Sequence, residues 1–446
     1  MISHTIVNEA LARCGSSVRC DPVLFGRVVV DSRIARPGDI FCAFKGERTN
    51  AHVFVPDLVA RGVLCIGTEP LGIEGYVQVT DIVLFLAVTA RLRRDAQRSR
   101  VIAITGSSGK TTTRALAMRM LEKSGVIVHG TRGNLNNHIG VPLVLLETPL
   151  SCDVIVLEMG MNHAGEIATL CQIADPDVAI ITNIGCAHIG NFDSREALAE
   201  AKLELFEHSR GSTAINLDDP FVVSWADAHP ARKGITYGIK RCDGDLWACQ
   251  EQGFLRLRWF GAEYRFPMPR VPEYQVENLL AAAAIAAPFI RDIRVILRAL
   301  ETCSLPPYRG EEVHDGERCF VVDCYNANPD SMQKSIADFV ARAGEAADDL
   351  PCYLILGDMA ELGRFSEKYH RELVNYLKTL TVIKRSFLLG EEFEKVRDES
   401  IDDERFHFSH SVEEIAAALP VRGRFLVKGS RRNRLERLFA SDDGGE

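Results

Sequence analysis

Between residues 98 and about 305 one pattern keeps returning. A short apolar run rich in β-branched residues is followed by a glycine or polar turn and then, in most cases, by a helical stretch. The runs are "VIAITG", "DVIVLEMG", "VAIITNIG" and "TAINLDD". This alternation predicts an α/β fold: a parallel sheet with helices on both faces. Such sheets bind ligands beyond the carboxyl ends of their strands. The residues just after each run are therefore the first place to look for function.

Both flanks predict further α/β units. Ahead of the central unit, "RVVVDSR", "DIFCAF", "VLCIG" and "YVQV" read as strands, Pro37-Gly38-Asp39 as a turn, and "TARLRRDAQRSR" as a basic helix leading out. After it, the two prolines of "CSLPPYRG" mark a linker, and "CFVVDCYNANP", "PCYLILGDM", "SFLLG" and "RFLVKGS" open a smaller unit. The 446 residues suit three domains, expected at 1–97, 98–305 and 306–446. The formal charge of -9 argues against general affinity for nucleic acid or an anionic membrane, so any phosphate site must be local. None of the 13 cysteines forms a C-x-x-C pair, which argues against a zinc or redox motif. Cys42, Cys65 and Cys152 sit in apolar runs as small hydrophobes, in keeping with a reducing cytosol. The N-terminus "MISHTIVNEALARCG" lacks a signal-peptide pattern. The longest apolar run, "LLAAAAIAAPFI", falls short of the roughly 20 residues that span a bilayer. The expectation is a cytoplasmic protein with no membrane insertion.

The stretch "VIAITGSSGKTTTRALAMRM" carries the clearest chemistry. The common phosphate loop, G-x-x-x-x-G-K-[ST], would need glycine at position 104. Ile104 stands there, and the glycine is Gly106. The loop still lies between a buried strand and a helix, where free amides and the helix dipole favour an anion. Lys110 is placed to reach outer phosphates and the Thr111 hydroxyl to hold Mg²⁺. A chance Gly-Lys-Thr in a glycine turn is the bland alternative. The full strand–loop–helix setting argues against it.

Three further positions stand out. Glu158 ends the run "DVIVLE", where a carboxylate can bind a metal directly or through water; a lone strand end would make it a solvated residue instead. His188 follows another strand tip, on the same edge as Glu158 and the loop. Lys202, in "SREALAEAKLELFEHS", has Leu198, Ala199, Leu205 and Phe206 as its helical neighbours and so lies on an apolar stripe. Either its head snorkels to water, or it is held in a site with its pKa lowered by desolvation. A neutral amine there could add CO₂ and become a carbamate, turning a cation into a metal ligand.

Together these residues resemble the Mur ligases, ATP-dependent amide-forming enzymes of peptidoglycan synthesis. "ITGSSGKTTT" is similar to the family's short phosphate loop. "VDSRIARPGDIFCAFKGERTNAHVFVPDLVARG" resembles its UDP-sugar-binding domain. "GNLNNHIGVPLVLL", "EMGMNHAGEI", "NIGCAH" and "AEAKLELF" resemble its central blocks. "DCYNANPDSM", "LGDMAELGRFSEKYH" and "LVKGS" resemble the branch that adds a D-alanyl-D-alanine dipeptide, and the Asp-Asn-Pro-Arg signature of the branch adding the third residue is missing.

The resemblance implies ATP as co-substrate, two Mg²⁺ ions and an acyl-phosphate intermediate. The small-molecule substrates would be UDP-N-acetylmuramoyl-tripeptide and D-Ala-D-Ala. It implies that Gly106, Ser107, Ser108, Gly109, Lys110, Thr111 and Thr112 hold the ATP phosphates. Thr111 and Glu158 would serve one Mg²⁺, and Glu158, His188 and carbamylated Lys202 a second. Asn278, Arg309, Asp323 and Asn326 would face the nucleotide. Ser32, Arg33, Asn134 and Asn137 would contact the UDP-sugar peptide. A cytoplasmic monomer acting in cell-wall growth and division is expected. Two positions depart from the family pattern: Tyr274-Gln275 replaces a His-Asn pair, and Tyr308-Arg309-Gly310 replaces Gly-Arg. The rival readings are a ligase for another amino acid, a folate-type ligase, a P-loop kinase or ATPase, and a non-catalytic sugar-nucleotide binder.

Overall fold

The computed structural model describes residues 1–21, 23–47, 49–251, 253–268, 271–290, 292–296, 308–345, 349–397 and 404–439. Its centre is a nine-stranded sheet. In spatial order the strands are Val128–Gly130, Val154–Glu158, Arg100–Thr105, Val178–Ile181, Ser212–Asn216, Ile235–Gly238, Leu246–Glu251, Phe254–Trp259 and Ala262–Pro267. The first seven run parallel and the last two antiparallel. The expected parallel sheet thus carries an antiparallel extension, turned at Gly253 and Gly261, whose φ values of 73° and 85° suit glycine.

The apolar runs are buried on both faces, as their composition requires. Val101, Ala103, Ile155 and Leu157 face a layer containing helices Ile82–Asp95, Gly140–Glu147, Glu166–Ala174 and Arg195–His208. Ile102, Ile104, Val154 and Val156 face helices Lys110–Lys123 and Glu273–Ala286. Strand Arg100–Thr105 pairs with Val154–Glu158 on one side and Val178–Ile181 on the other. The chain leaves it in both directions, so a crevice opens at its carboxyl end. The phosphate loop sits there.

A four-stranded parallel sheet of Val28–Val29, Ile40–Ala43, Leu64–Gly67 and Tyr76–Gln78 precedes the centre. The basic helix Ile82–Asp95 joins the two. Its Arg94 is buried, donating to the Ala174 carbonyl (3.0 Å) and to Asp177 Oδ2 (3.1 Å). After the centre comes a six-stranded sheet, ordered Glu311–Asp315, Glu317–Asp323, Arg422–Lys428, Cys352–Gly357, Ile383–Leu389 and Phe406–Ser409. Only its first strand is antiparallel. Most of the "CSLPPYRG" linker and the boundary at 305/306 lie outside the described residues. Among the described residues no helix is long and apolar enough to cross a membrane.

Candidate active site

The phosphate loop is compact because a second segment clamps it. The Ser107 amide donates to the Asn183 carbonyl (2.9 Å), and the Ser108 amide to Asn183 Oδ1 (3.0 Å). Thr182 Oγ1 donates back to the Ser108 carbonyl at 2.6 Å. Gly106 has φ 145°, and a Cβ there would run into Thr182 Oγ1. Gly109, at φ 83°, begins helix Lys110–Lys123, and a Cβ there would strike the Asn278 side chain. The first amides of that helix have no intrahelical acceptor and point into the crevice.

Lys110 Nζ donates to the Gly106 carbonyl at 2.6 Å. Burial lowers its pKa, while Glu158 pulls the other way. Thr111 Oγ1 donates to Glu158 Oε2 at 3.2 Å. Arg114 Nε lies 3.0 Å from Glu158 Oε1, an ion pair whose alignment leaves both atoms without a formal hydrogen bond. From the C-terminal unit, Arg309 donates to Thr111 Oγ1 (3.1 Å) and lies over the Tyr325 ring, 4.3 Å from its centroid. Burial lowers the Arg309 pKa, with Glu158 opposing.

His188 has a left-handed backbone, φ 64°, and its Nδ1 lies 2.8 Å from Glu361 Oε2 of the C-terminal unit. Here too the alignment falls short of a hydrogen bond for Nδ1. His188 beside it holds the Glu361 carboxyl below the usual range. Lys202 is 1 % exposed, among buried Leu198, Ala199, Leu205 and Phe206. The snorkelling alternative is therefore excluded. Among the described residues no hydrogen bond or ion pair engages Lys202. Burial, reinforced by the charge of Lys110, drives its pKa well below the ordinary lysine value.

These groups border a cleft of about 400 Å³ between the central and C-terminal units. Ser107, Ser108, Gly109, Lys110, Thr111, Thr112, Asn134, Asn137, Glu158, His188, Asn278, Arg309, Asp323 and Asn326 line it. Asn137 also caps helix Gly140–Glu147, its Oδ1 accepting from the Gly140 amide at 2.9 Å. Asp323 accepts from Lys428 (2.6 Å) and Ser335 (2.7 Å). Asn326 Oδ1 accepts from the Ala327 amide at 2.9 Å. Gly106 and Lys202 are not among the lining residues. Ser32 and Arg33 are not part of the cleft. They form a short 3₁₀ turn of the N-terminal unit, where Arg33 pairs with Asp31 at 2.7 Å.

The two departures from the family pattern meet in space. A Cβ on Gly310 (φ 92°) would lie 3.0 Å from the Tyr274 hydroxyl and 3.3 Å from Gln275 Nε2. The bulk of Tyr274 is thus accommodated where the backbone beside Arg309 has none. Sequence reasoning gave no role to Asn183, Arg114, Asn328 or Glu361. Arg114 stands one helical turn after Thr111, on the loop's own face, and that spacing was its signal. Asn328 Nδ2 donates to Ser108 Oγ at 3.1 Å. Its contact crosses more than 200 residues of chain, and no local pattern announces it.

Known proteins agree with this arrangement. Residues 104–286 match the Mur ligase middle domain, and residues 308–431 match the Mur ligase, glutamate ligase domain. The UDP-N-acetylmuramoyl-tripeptide–D-alanyl-D-alanine ligase of Bacillus subtilis is 32 % identical over 390 residues, covering 83 % of this chain and 82 % of that protein. A crystal structure of MurF from Acinetobacter baumannii superposes with a TM-score of 0.87 at 28 % identity, over 98 % of each chain. MurF ligase from Thermotoga maritima, solved in complex with ADP, superposes with a TM-score of 0.80 at 27 % identity, over 93 % of this chain and 96 % of that one.

Proposed function

The chain belongs to the Mur ligase family, and from that premise we propose that it joins D-alanyl-D-alanine to UDP-N-acetylmuramoyl-tripeptide at the expense of ATP. The observation that carries this reading is the convergence of Lys110, Thr111 and Glu158 with Arg309 in one interdomain cleft. An ADP complex of a similar chain supports ATP as the co-substrate. On this reading residues 1–97 hold the UDP-sugar, with Ser32 and Arg33 contacting it together with Asn134 and Asn137. Residues 98–305 hold the phosphates, and 306–446 the adenosine side and the dipeptide. The enzyme works as a monomer in the cytoplasm, on soluble substrates of cell-wall synthesis.

The reaction has two steps. A carboxylate oxygen of the tripeptide attacks the γ-phosphorus of ATP, the bond to the β-phosphate oxygen breaks, and ADP leaves. The dipeptide amine then attacks the acyl phosphate carbon, and phosphate departs from the tetrahedral intermediate as the amide forms. Negative charge gathers on closely spaced oxygens in both steps. Lys110 and the first amides of helix Lys110–Lys123 are fixed in advance to meet it, which is where such groups lower a barrier most. Asn278, Arg309, Asp323 and Asn326 orient the nucleotide. Closure of the C-terminal unit shields the acyl phosphate from water.

The side chains also fit magnesium. Glu158 Oε1 and His188 Nδ1 are buried atoms in ion pairs with Arg114 (3.0 Å) and Glu361 (2.8 Å) but in no formal hydrogen bond, and the Thr111 hydroxyl lies 3.2 Å from the other Glu158 oxygen. Thr111 and Glu158 would hold one ion, and Glu158, His188 and carbamylated Lys202 a second. Bound ions would screen the phosphoryl oxygens. A neutral Lys202 amine is the form that adds CO₂, and its burial favours that form.

The test is product analysis with Mg-ATP, UDP-muramyl-tripeptide and D-Ala-D-Ala, each omitted in turn. Phosphate release that needs all three, with a pentapeptide product by mass, is expected. Hydrolysis indifferent to the dipeptide would indicate an ATPase instead.

A further inference from the structure

Glu361 has no part in the reaction as derived, yet its placement is unusually constrained. It reaches from the C-terminal unit to His188, 2.8 Å away. Its main-chain carbonyl accepts from the Gly190 amide at 3.0 Å. Its φ of 64° is left-handed, a conformation that costs a residue with a side chain and persists where surroundings enforce it. Two glycines provide the enforcement. A Cβ on Gly190 would lie 2.7 Å from the Leu362 carbonyl carbon, and one on Gly363 would lie 2.9 Å from Gly190 Cα. Backbone contact across the domain seam therefore sets Glu361 in position.

Its carboxylate also differs from its neighbours. Glu158 is held by Thr111 and Arg114, Asp330 by the Cys186 amide (2.6 Å), and Asp323 by Lys428 and Ser335. The Glu361 side chain keeps 49 % exposure, and its charge is felt at Lys110. It is a half-exposed anion beside His188, a residue of the cleft lining, on the side where Lys110, Arg114 and Arg309 gather around Glu158.

We propose that Glu361 anchors the protonated amine of the incoming dipeptide beside His188, at the phosphate end of the cleft. This rests on the D-alanyl-D-alanine reading above. A free α-amine titrates at about 8, so the dipeptide arrives as an ammonium. Lys110, Arg114 and Arg309 repel an ammonium, and the fixed Glu361 carboxylate offsets that repulsion and selects for a co-substrate that arrives as an ammonium, whose nitrogen attacks only after giving up a proton to solvent. The seam that fixes Glu361 forms only when the two units are docked, so the anchor is presented as the cleft closes.

Steady-state kinetics with each of the three substrates varied will test the anchor. Glu361→Gln is expected to raise KM for the dipeptide about tenfold or more, the loss of one charge-assisted contact. KM for ATP and for the UDP-substrate should stay within about twofold. Glu361→Asp, which keeps the charge, should fall between. N-acetyl-D-Ala-D-Ala, which has no ammonium, should inhibit the unaltered chain and the Gln variant equally. An unchanged dipeptide KM in Glu361→Gln, with amide product still formed, overturns the anchor alone. Absence of a dipeptide adduct with the unaltered chain overturns the reading it rests on, and the anchor with it.

Discussion

Lys110 and Lys202 are both buried lysines, and their surroundings give them different work. Lys110 sits among the anionic partners of a phosphate site, within reach of Glu158 and hydrogen-bonded to the Gly106 carbonyl. Its contribution belongs to charge that develops during reaction. Lys110→Ala should therefore lower kcat about 100- to 1000-fold while leaving UDP-substrate affinity, measured by calorimetry, nearly unchanged. An unchanged kcat would remove the phosphate-loop assignment. Lys202 is buried on the apolar stripe of its helix and feels the charge of Lys110. Lys202→Ala should lose most activity, and millimolar formate or acetate should restore part of it by standing in for the carbamate. Full activity without any additive would dispose of the carbamate. The sequence pointed to both residues, Lys110 by its loop and Lys202 by its place on an apolar stripe. It could not choose between a snorkelling and a buried Lys202, because depth is set by the helices Glu166–Ala174 and Pro220–Ala228 that pack on Arg195–His208.

At the scale of elements, the short apolar strands were legible because burial on both faces leaves a composition signal that needs no knowledge of neighbours. The antiparallel extension at 254–267 and the edge strand Glu311–Asp315 were not, since half-exposed strands look like polar loops until their partners are known. The same holds for helix Ser366–Lys378, where a titrating group is locked in place. His370 is fully buried, with Nδ1 2.8 Å from the Ser366 carbonyl and Nε2 accepting from the Met359 amide at 3.1 Å. That pairing admits only the neutral tautomer carrying its proton on Nδ1. Burial lowers the pKa accordingly. The unfolded chain, with a histidine pKa near about 6.5, then binds more protons than the folded one as pH falls. The stability this histidine contributes is complete above that value and is lost below it. His52 and His129 share the direction, also through burial. The thermal midpoint should fall between pH 7.5 and 5.5, and His370→Gln should flatten that slope. An unaltered slope in the variant would show that His370 is not a source of the dependence.

The whole molecule is arranged so that the cleft exists only when two units meet. Arg309–Thr111, Asn328–Ser108, Cys186–Asp330, Lys334–Glu277 and His188–Glu361 all cross the seam. Such contacts join positions far apart in the chain, which is why the loop, Glu158 and His188 were legible from local pattern and Asn328 and Glu361 were not. Ser32 and Arg33 stand apart from that cleft in this arrangement, whereas Asn134 and Asn137 line it. If docking at the seam is needed for catalysis, Gly190→Val should cut kcat at least about 100-fold and enlarge the radius of gyration in X-ray scattering with nucleotide bound, while UDP-substrate affinity persists. Wild-type kcat in that variant would show the seam to be dispensable. The most direct test of the central claim follows one oxygen atom. With ¹⁸O in the terminal carboxylate of the UDP-muramyl-tripeptide, attack on ATP and later departure of phosphate should carry one ¹⁸O into the phosphate released with each dipeptide joined. Amide product formed with unlabelled phosphate would contradict the acyl-phosphate route, and with it the account of how this cleft works.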